Sequence, residues 1–176
     1  SKEVVYKNSL NIKNNLSSII SKLSNSKQFT NYLKENSIAD DIINNFDFNS
    51  IEIINNADTY SDMTVLNFMR DIVSHFRVAS LLSKESAKTR LNSADGMSVI
   101  EFMYPIFQGY DYYNLFRNKS VKLQLGGSDQ WGNMISGIEL INKMQNIEGN
   151  KNSLKEDLVM NTTFPLITTK SGKKLG

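Results

Sequence analysis

An apolar strand that runs into paired glycines and straight on into a helix leaves a chain few folds to choose from. This sequence has that arrangement at Leu123-Gln124-Leu125-Gly126-Gly127-Ser128-Asp129-Gln130-Trp131-Gly132-Asn133. Glycines at such a corner let a ligand lie against bare backbone at a helix start, where free amides attract negative charge. Ser128, Asp129 and Gln130 add polar side chains at the same place. Just upstream, Tyr104, Gln108 and Asp111 fall at i, i+4 and i+7, one stripe of a helix. Two polar features side by side in an apolar region predict a ligand pocket.

Hydrophobic periodicity supplies the elements around this corner. Leu10, Ile12, Leu16, Ile19, Ile20 and Leu23 predict a helix from Asn8 to Leu23 with Ser9 as its cap. Ser24 to Ser50, rich in Asn, Ser and Lys, reads as a loosely packed polar insertion with a short helix near Gln28 to Glu35. A strand is expected at Ser50 to Ile54, then helices at Asp62 to Phe76 and Ser83 to Leu91. Ser98-Val99-Ile100-Glu101 fits a capping box that opens a helix to about Phe116, with Pro105 bending it. A short buried strand at Val121 to Leu125, a helix at Asp129 to Lys143 and a last strand at Phe164 to Thr168 complete the pattern. Strands separated by long helices indicate a parallel α/β sheet.

Composition narrows the chemistry. The 176 residues are 40% hydrophobic and 22% charged, ordinary values for a globular domain with a core. Runs such as Ile51-Glu52-Ile53-Ile54 are far too short to cross a bilayer, so no membrane partner is expected. With no cysteine there is neither a disulfide nor a thiolate metal site. The single histidine, His75, argues against a metal centre or a Ser-His-Asp triad. Twenty Lys+Arg against 18 Asp+Glu leave a net charge of +2, too mild to announce a nucleic-acid binder. The chain opens at Ser1 with neither an initiator Met nor a signal peptide, so the natural start is expected elsewhere.

Each polar feature has two readings. Tyr104 to Asp111 spans roughly 10 Å of helix, about one amino acid lying lengthwise. A phenol, an amide and a carboxylate would then grip its two ends; otherwise Tyr104 is half-buried core while Gln108 and Asp111 face water. A buried Asp111 needs a partner for its charge. Asp129 is either a cap favoured by the helix dipole or an acceptor for a ribose diol. Lys170, Lys173 and Lys174 around Gly172 suit a polyphosphate, or are simply solvated charge.

Taken together, Gly126-Gly-Ser-Asp-Gln-Trp-Gly-Asn133 after Leu-Gln-Leu, preceded by Tyr104-x-x-x-Gln108-x-x-Asp111, closely resembles the bacterial-type tyrosyl-tRNA synthetases. The likeness runs back through Phe68-Met-Arg-Asp-Ile72 and Leu82-Ser-Lys-Glu-Ser86 to Asn55-Asn56, and forward to Phe164-Pro-Leu-Ile-Thr168. The resemblance implies a class I aminoacyl-tRNA synthetase with a Rossmann-like sheet and flanking helices. It joins L-tyrosine, ATP and tRNA(Tyr) through tyrosyl-adenylate. ATP is a substrate accompanied by Mg2+, and no prosthetic group is bound.

By the same resemblance, Tyr104 and Gln108 hold the α-amino group of tyrosine and Asp111 its hydroxyl. Gln130 meets the carboxyl end, and Gln124 lies at the pocket floor. Asp129 takes the ribose of ATP, which Gly127 approaches through its backbone. Lys174 matches the first lysine of the signature loop that stabilises departing pyrophosphate, and Lys84 a basic position facing the tRNA acceptor arm. His75 matches a family histidine expected to pack. Family members pair as homodimers, with the region from Met97 to Glu101 near the contact.

The sequence also departs from the family. It has no His-Ile-Gly-His-like signature and no C-terminal tRNA-binding domain, and its signature loop stops at Gly176 before a second lysine. Ser24 to Ser50 lacks a family counterpart, and Tyr60 replaces the usual Trp after Asn55-Asn56. The chain therefore reads as the second half of a catalytic domain, inactive alone. A tryptophanyl enzyme and an RNA-binding protein without catalysis are the alternatives. Abundant Asn, Lys and Ile suggest an A+T-rich genome, and favour an organelle (mitochondrion or plastid) over a bacterial cytoplasm.

Overall fold

The computed structural model describes residues 1–94, 96–147 and 159–172. The chain divides into two compact units, Ser1–Asn55 and Asn56–Gly176. Among the described residues no helix is long and apolar enough to cross a membrane.

The first unit is a set of helices without a sealed interior. Helix α1 (Lys2–Ser24) starts behind Ser1, six residues ahead of the predicted beginning. Ser9 is therefore no cap: its Oγ donates to the Tyr6 carbonyl at 2.8 Å, a bond a serine makes inside a helix. Nothing in Lys2–Asn8 breaks helical geometry, so the helix extends beyond its apolar stripe. Helix α2 (Lys27–Glu35) is capped by Ser26, whose Oγ accepts from the Phe29 amide at 3.1 Å. Helix α3 (Asp40–Asn45) and a 3-10 turn at Phe48–Ser50 follow, the turn capped by Asp47. Phe48 meets Phe46 edge-on at 4.9 Å and Phe29 at 6.3 Å. No described side chain of this unit is buried.

The strand expected at Ser50 to Ile54 does not form. Alternating isoleucines give it β propensity, but a strand exists only as part of a ladder. Here the backbone bonds locally instead, with the Ile51 amide donating to the Phe48 carbonyl at 3.3 Å.

The second unit carries the core. It opens with α4 (Ala57–Tyr60) and α5 (Val65–Asp71), the latter capped by Thr64. The single helix predicted from Asp62 to Phe76 is in fact α5 plus a 3-10 turn at Val73–His75. They are separated at buried Ile72, whose φ of −121° is not helical. Next come α6 (Val78–Leu82), which the sequence pattern did not announce, and α7 (Glu85–Leu91), near its expected place.

Helix α8 (Val99–Lys119) begins at Ser98 with both halves of the capping box in place. The Glu101 amide donates to Ser98 Oγ at 3.2 Å, and the Ser98 amide to Glu101 Oε2 at 2.8 Å. The helix runs through Pro105 and stops at Ser120, which takes a left-handed conformation. Strand β1 (Leu123–Gly127), a 3-10 turn at Ser128–Gln130, helix α9 (Trp131–Ile147) and strand β2 (Met160–Phe164) follow. The strands pair in parallel, from Leu123 beside Met160 to Gly127 beside Phe164. Helices flanking a parallel sheet bear out the α/β expectation, with two strands among the described residues.

Two registers differ from expectation. β1 lies two residues later than predicted, and β2 ends at Phe164 where it was expected to begin. Pro165, next in line, has no amide to give a ladder. Nor is β1 buried on both faces: Leu123 is 46% and Leu125 56% exposed, while Gln124 and Gly126 turn inward.

Helices α8 and α9 pack at glycines. A Cβ on Gly109 would lie 3.2 Å from the Ser136 carbonyl, and one on Gly137 only 2.7 Å from the Tyr112 ring. Around this contact sit Phe68, Ile72, Leu81, Ile106, Tyr110 and Leu140. Tyr112, Ile141 and Val159 form a second cluster toward the sheet. The Tyr112 hydroxyl lies 2.9 Å from the Lys122 carbonyl and 3.1 Å from that of Met160, tying α8 to the start of both strands.

Candidate functional site

The stripe Tyr104, Gln108 and Asp111 is set by α8, but its burial runs opposite to the inert alternative. Tyr104 is 58% exposed, whereas Gln108 and Asp111 are half-buried. The charge partners that a buried Asp111 requires are present. Asn56 Nδ2 donates to Oδ2 at 2.8 Å, and the Tyr60 hydroxyl donates to Oδ1 at 2.8 Å. Burial pushes the Asp111 carboxyl up, and these two hydrogen bonds oppose that shift. Tyr60 is pushed far above the ordinary phenol range, by burial first and then by Asp111. The shared proton therefore belongs to the Tyr60 oxygen.

Neither Asn56 nor Tyr60 was assigned a site role from the sequence. Both stand in the segment that carried the family likeness, but nothing in a linear reading joins them to a residue more than fifty positions away.

The glycine corner has a steric reason. A Cβ at Gly127 would sit 2.8 Å from Asp129 Oδ1 and 2.8 Å from Leu166 Cδ2. Any larger residue would push the exposed Asp129 carboxylate out of place. On β1, Gln124 lies beside Asn161 of β2. Gln124 Oε1 and both polar side-chain atoms of Asn161 are shielded from solvent with no hydrogen-bond partner among the described residues. Shielded amides without partners carry a desolvation cost that a bound polar group would relieve. Asn161 had no role in the sequence reading, and only the strand register brings it to Gln124.

Tyr104 and Gln130 meet across a cavity of about 350 Å³, together with Lys84, Arg90, Glu101 and Asn133. Lys84 Nζ donates to the Gly132 carbonyl at 2.6 Å near the start of α9, and burial lowers its pKa. Arg90 Nη2 holds Glu101 Oε1 at 2.9 Å, linking α7 to the first turn of α8. The described lining does not include Gln108, Asp111, Gln124, Gly127 or Asp129. The predicted residues thus form three local groups, around Asp111, around Gly127 and along this cavity.

His75 is half-buried in its 3-10 turn, and its carbonyl accepts from Lys143 Nζ at 2.8 Å. Lys170 is exposed ahead of a turn in which the Gly172 amide donates to the Thr169 carbonyl at 2.9 Å. Lys173 and Lys174 lie outside the described residues.

The chain is similar to known proteins in sequence and in fold. The family described as tRNA synthetases class I (W and Y) matches residues 13–176. A tyrosine–tRNA ligase of Protochlamydia amoebophila is 44% identical over 124 residues, 70% of this chain and 27% of that protein. A mitochondrial tyrosine–tRNA ligase of Drosophila melanogaster is 43% identical over 124 residues, 70% of this chain and 25% of the relative. The chain thus spans about a quarter of the length of these curated relatives. Among solved structures, a C-terminally truncated mitochondrial tyrosyl-tRNA synthetase of Coccidioides posadasii superposes with a TM-score of 0.61 at 32% identity. That match covers 69% of this chain and 35% of the other. With a family match across nearly its whole length, the chain belongs to the class I tRNA synthetases of the tryptophan and tyrosine group.

Proposed function

We propose that this chain is the second half of the catalytic domain of a tyrosine–tRNA ligase. That enzyme activates L-tyrosine with ATP and passes it to tRNA(Tyr). The observation that carries the reading is the Asp111 carboxylate, half-buried and steadied by one donor on each oxygen. An ionised carboxylate has about four lone-pair sites. Two remain, and a substrate phenol donates to one. A site built to bond a hydroxyl rejects the analogue lacking it, because its own buried groups are then left unpaired. The names of the Protochlamydia and Drosophila relatives support tyrosine over tryptophan.

In this reading Tyr104 and Gln108 hold the α-amino group, Gln130 meets the carboxylate, and Gln124 offers its unpartnered Oε1 at the pocket floor. Asp129 takes the ribose hydroxyls beside the bare backbone of Gly127. The tyrosine carboxylate attacks the α-phosphate in line; a C–O–P link forms, the bond to pyrophosphate breaks, and Lys174 stabilises the leaving charge. Positioning and fixed charge carry such a step without a covalent enzyme intermediate. Mg2+ would accompany the ATP phosphates, which are its usual ligands together with one or two carboxylates. Lys84 faces the tRNA acceptor arm, and two copies pair near Met97 to Glu101. The mitochondrial relatives and the Asn-rich composition support an organelle.

The test is ATP–pyrophosphate exchange by the full-length protein with tyrosine, phenylalanine and tryptophan. Tyrosine is expected to drive exchange, and Asp111→Ala to lower kcat/KM for tyrosine roughly 10–100-fold, the worth of a hydrogen bond to a charged group. Unchanged preference for tyrosine over phenylalanine in that variant would overturn the assignment. Absence of exchange with all three amino acids would favour an RNA-binding role.

A further inference from the structure

Tyr60 stands where the family likeness leads one to expect a tryptophan, and its surroundings leave its hydroxyl little freedom. Its ring is boxed by Phe68 at 6.0 Å, Phe107 at 5.8 Å and Tyr110 at 5.6 Å between centroids. Phe68 and Phe107 in turn stack at 5.1 Å with their planes 7° apart. A ring held on three sides delivers its oxygen to one spot. That spot lies 2.8 Å from Asp111 Oδ1 and 3.1 Å from the Phe107 carbonyl. One proton serves two acceptors, and the charged, nearer carboxylate takes it.

Deepening the tyrosine reading, and resting on it, we infer that Tyr60 is a positioning residue for amino-acid selection. Its hydroxyl pins Asp111 Oδ1 so that the free lone pairs of the carboxylate stay aimed at the substrate phenol. Asn56 holds the other oxygen. With both oxygens tethered from outside α8, the carboxylate cannot rotate about its own axis. The Asp111 side chain is half-buried, so water compensates a wrongly turned carboxylate only in part. A site tuned in this way discriminates on a hydroxyl that Tyr60 never touches.

The experiment is pyrophosphate exchange by the full-length protein carrying Tyr60→Phe, with tyrosine and phenylalanine compared. Phe keeps the ring and removes only the donor. The expected result is a tyrosine-to-phenylalanine ratio of kcat/KM narrowed about tenfold, mainly through a raised KM for tyrosine. A merely structural role would depress both substrates alike and leave the ratio intact; that outcome overturns the inference. Thermal unfolding is measured in parallel. If Tyr60→Phe does not fold, Tyr60→Met fills the box with a flexible apolar chain, also lacks the donor, and is held to the same criterion. The wild-type arm separates the two ideas. No tyrosine-dependent exchange there overturns the ligase reading and this inference with it, whereas normal exchange with an unchanged ratio in the variant overturns the inference alone.

Discussion

Helices α1 and α8 are nearly equal in length, 23 and 21 residues, and both show apolar residues at helical spacing. Their surroundings differ completely. α8 buries Pro105, Ile106, Gly109, Tyr110 and Tyr112. α1 buries nothing, and its Val5, Ile12 and Ile19 are 69%, 60% and 53% exposed. Helical hydrogen bonds form in both, but they contribute little net free energy to an isolated helix. The difference teaches that periodicity reports which face of a helix is ready for a partner, and not whether packing has supplied one. The units Ser1–Asn55 and Asn56–Gly176 differ in the same respect.

Cutting a matched side chain from each unit breaks or confirms this contrast most directly. Ile141 is fully buried against Tyr112 and Val159. Ile141→Ala is expected to lower the unfolding free energy by about 2–5 kcal/mol, the transfer loss plus the cavity left behind. Ile19→Ala removes the same atoms from an exposed position, and a change of about 0.5 kcal/mol or less is expected. Urea titration of the two variants decides the matter. An equal loss at residue 19 would mean that α1 is packed after all.

The same contrast explains how much could be read from the chain. The capping box at Ser98 is a local device, satisfied within a few residues, and stands where the sequence put it. The strand–glycine–helix order also holds, but with both glycines inside β1 and a 3-10 turn at Ser128–Gln130 before α9, which starts two residues later than expected. Elements that depend on distant partners came out differently. Ile51 to Ile54 had the alternation of a strand but no ladder to join, and the break at Ile72 follows from burial that no periodicity reports. β2 was misplaced because Phe164-Pro165-Leu166-Ile167 looks more apolar than Met160-Asn161-Thr162-Thr163, although the proline bars the ladder. For the site, the α8 stripe was legible because helical spacing is local. The tethers from Asn56 and Tyr60 were not, since they are made by the tertiary fold alone.

A smaller effect is expected where backbone approaches backbone. All nine glycines lie beyond residue 95, so tight helix contacts through glycine belong to the second unit alone. At Gly137 an added methyl would meet the Tyr112 ring, which is 1% exposed and held through its hydroxyl. Because that ring has nowhere to go, Gly137→Ala should destabilise by about 1–3 kcal/mol. Five residues earlier in α9, a Cβ on Gly132 meets nothing within 4 Å. Gly132→Ala is expected to stabilise by up to about 1 kcal/mol through helix propensity. Thermal midpoints that move in opposite directions would sharpen the contrast, and parallel shifts would contradict the close approach of α8 and α9.

The smallest effect compares two serine caps of the same chemistry. Ser98→Ala should lower global stability by about 1 kcal/mol, because the helix it opens is anchored in the core. Ser26 caps α2, which buries no residue, so Ser26→Ala should leave global unfolding unmoved and speed exchange of the Phe29 amide. Acid gives the first cap a further signature. The hydrogen bonds from Ser98, backbone first, and then Arg90 hold the Glu101 carboxyl below its usual range. A group depressed in the folded state adds stability above its unfolded pKa and loses it as pH falls through the folded value. The gap in thermal midpoint between wild type and Glu101→Gln should therefore be widest near neutrality and close on acidification below the usual carboxylate range. A gap that widens in acid would mean that Glu101 is held by something other than the start of α8.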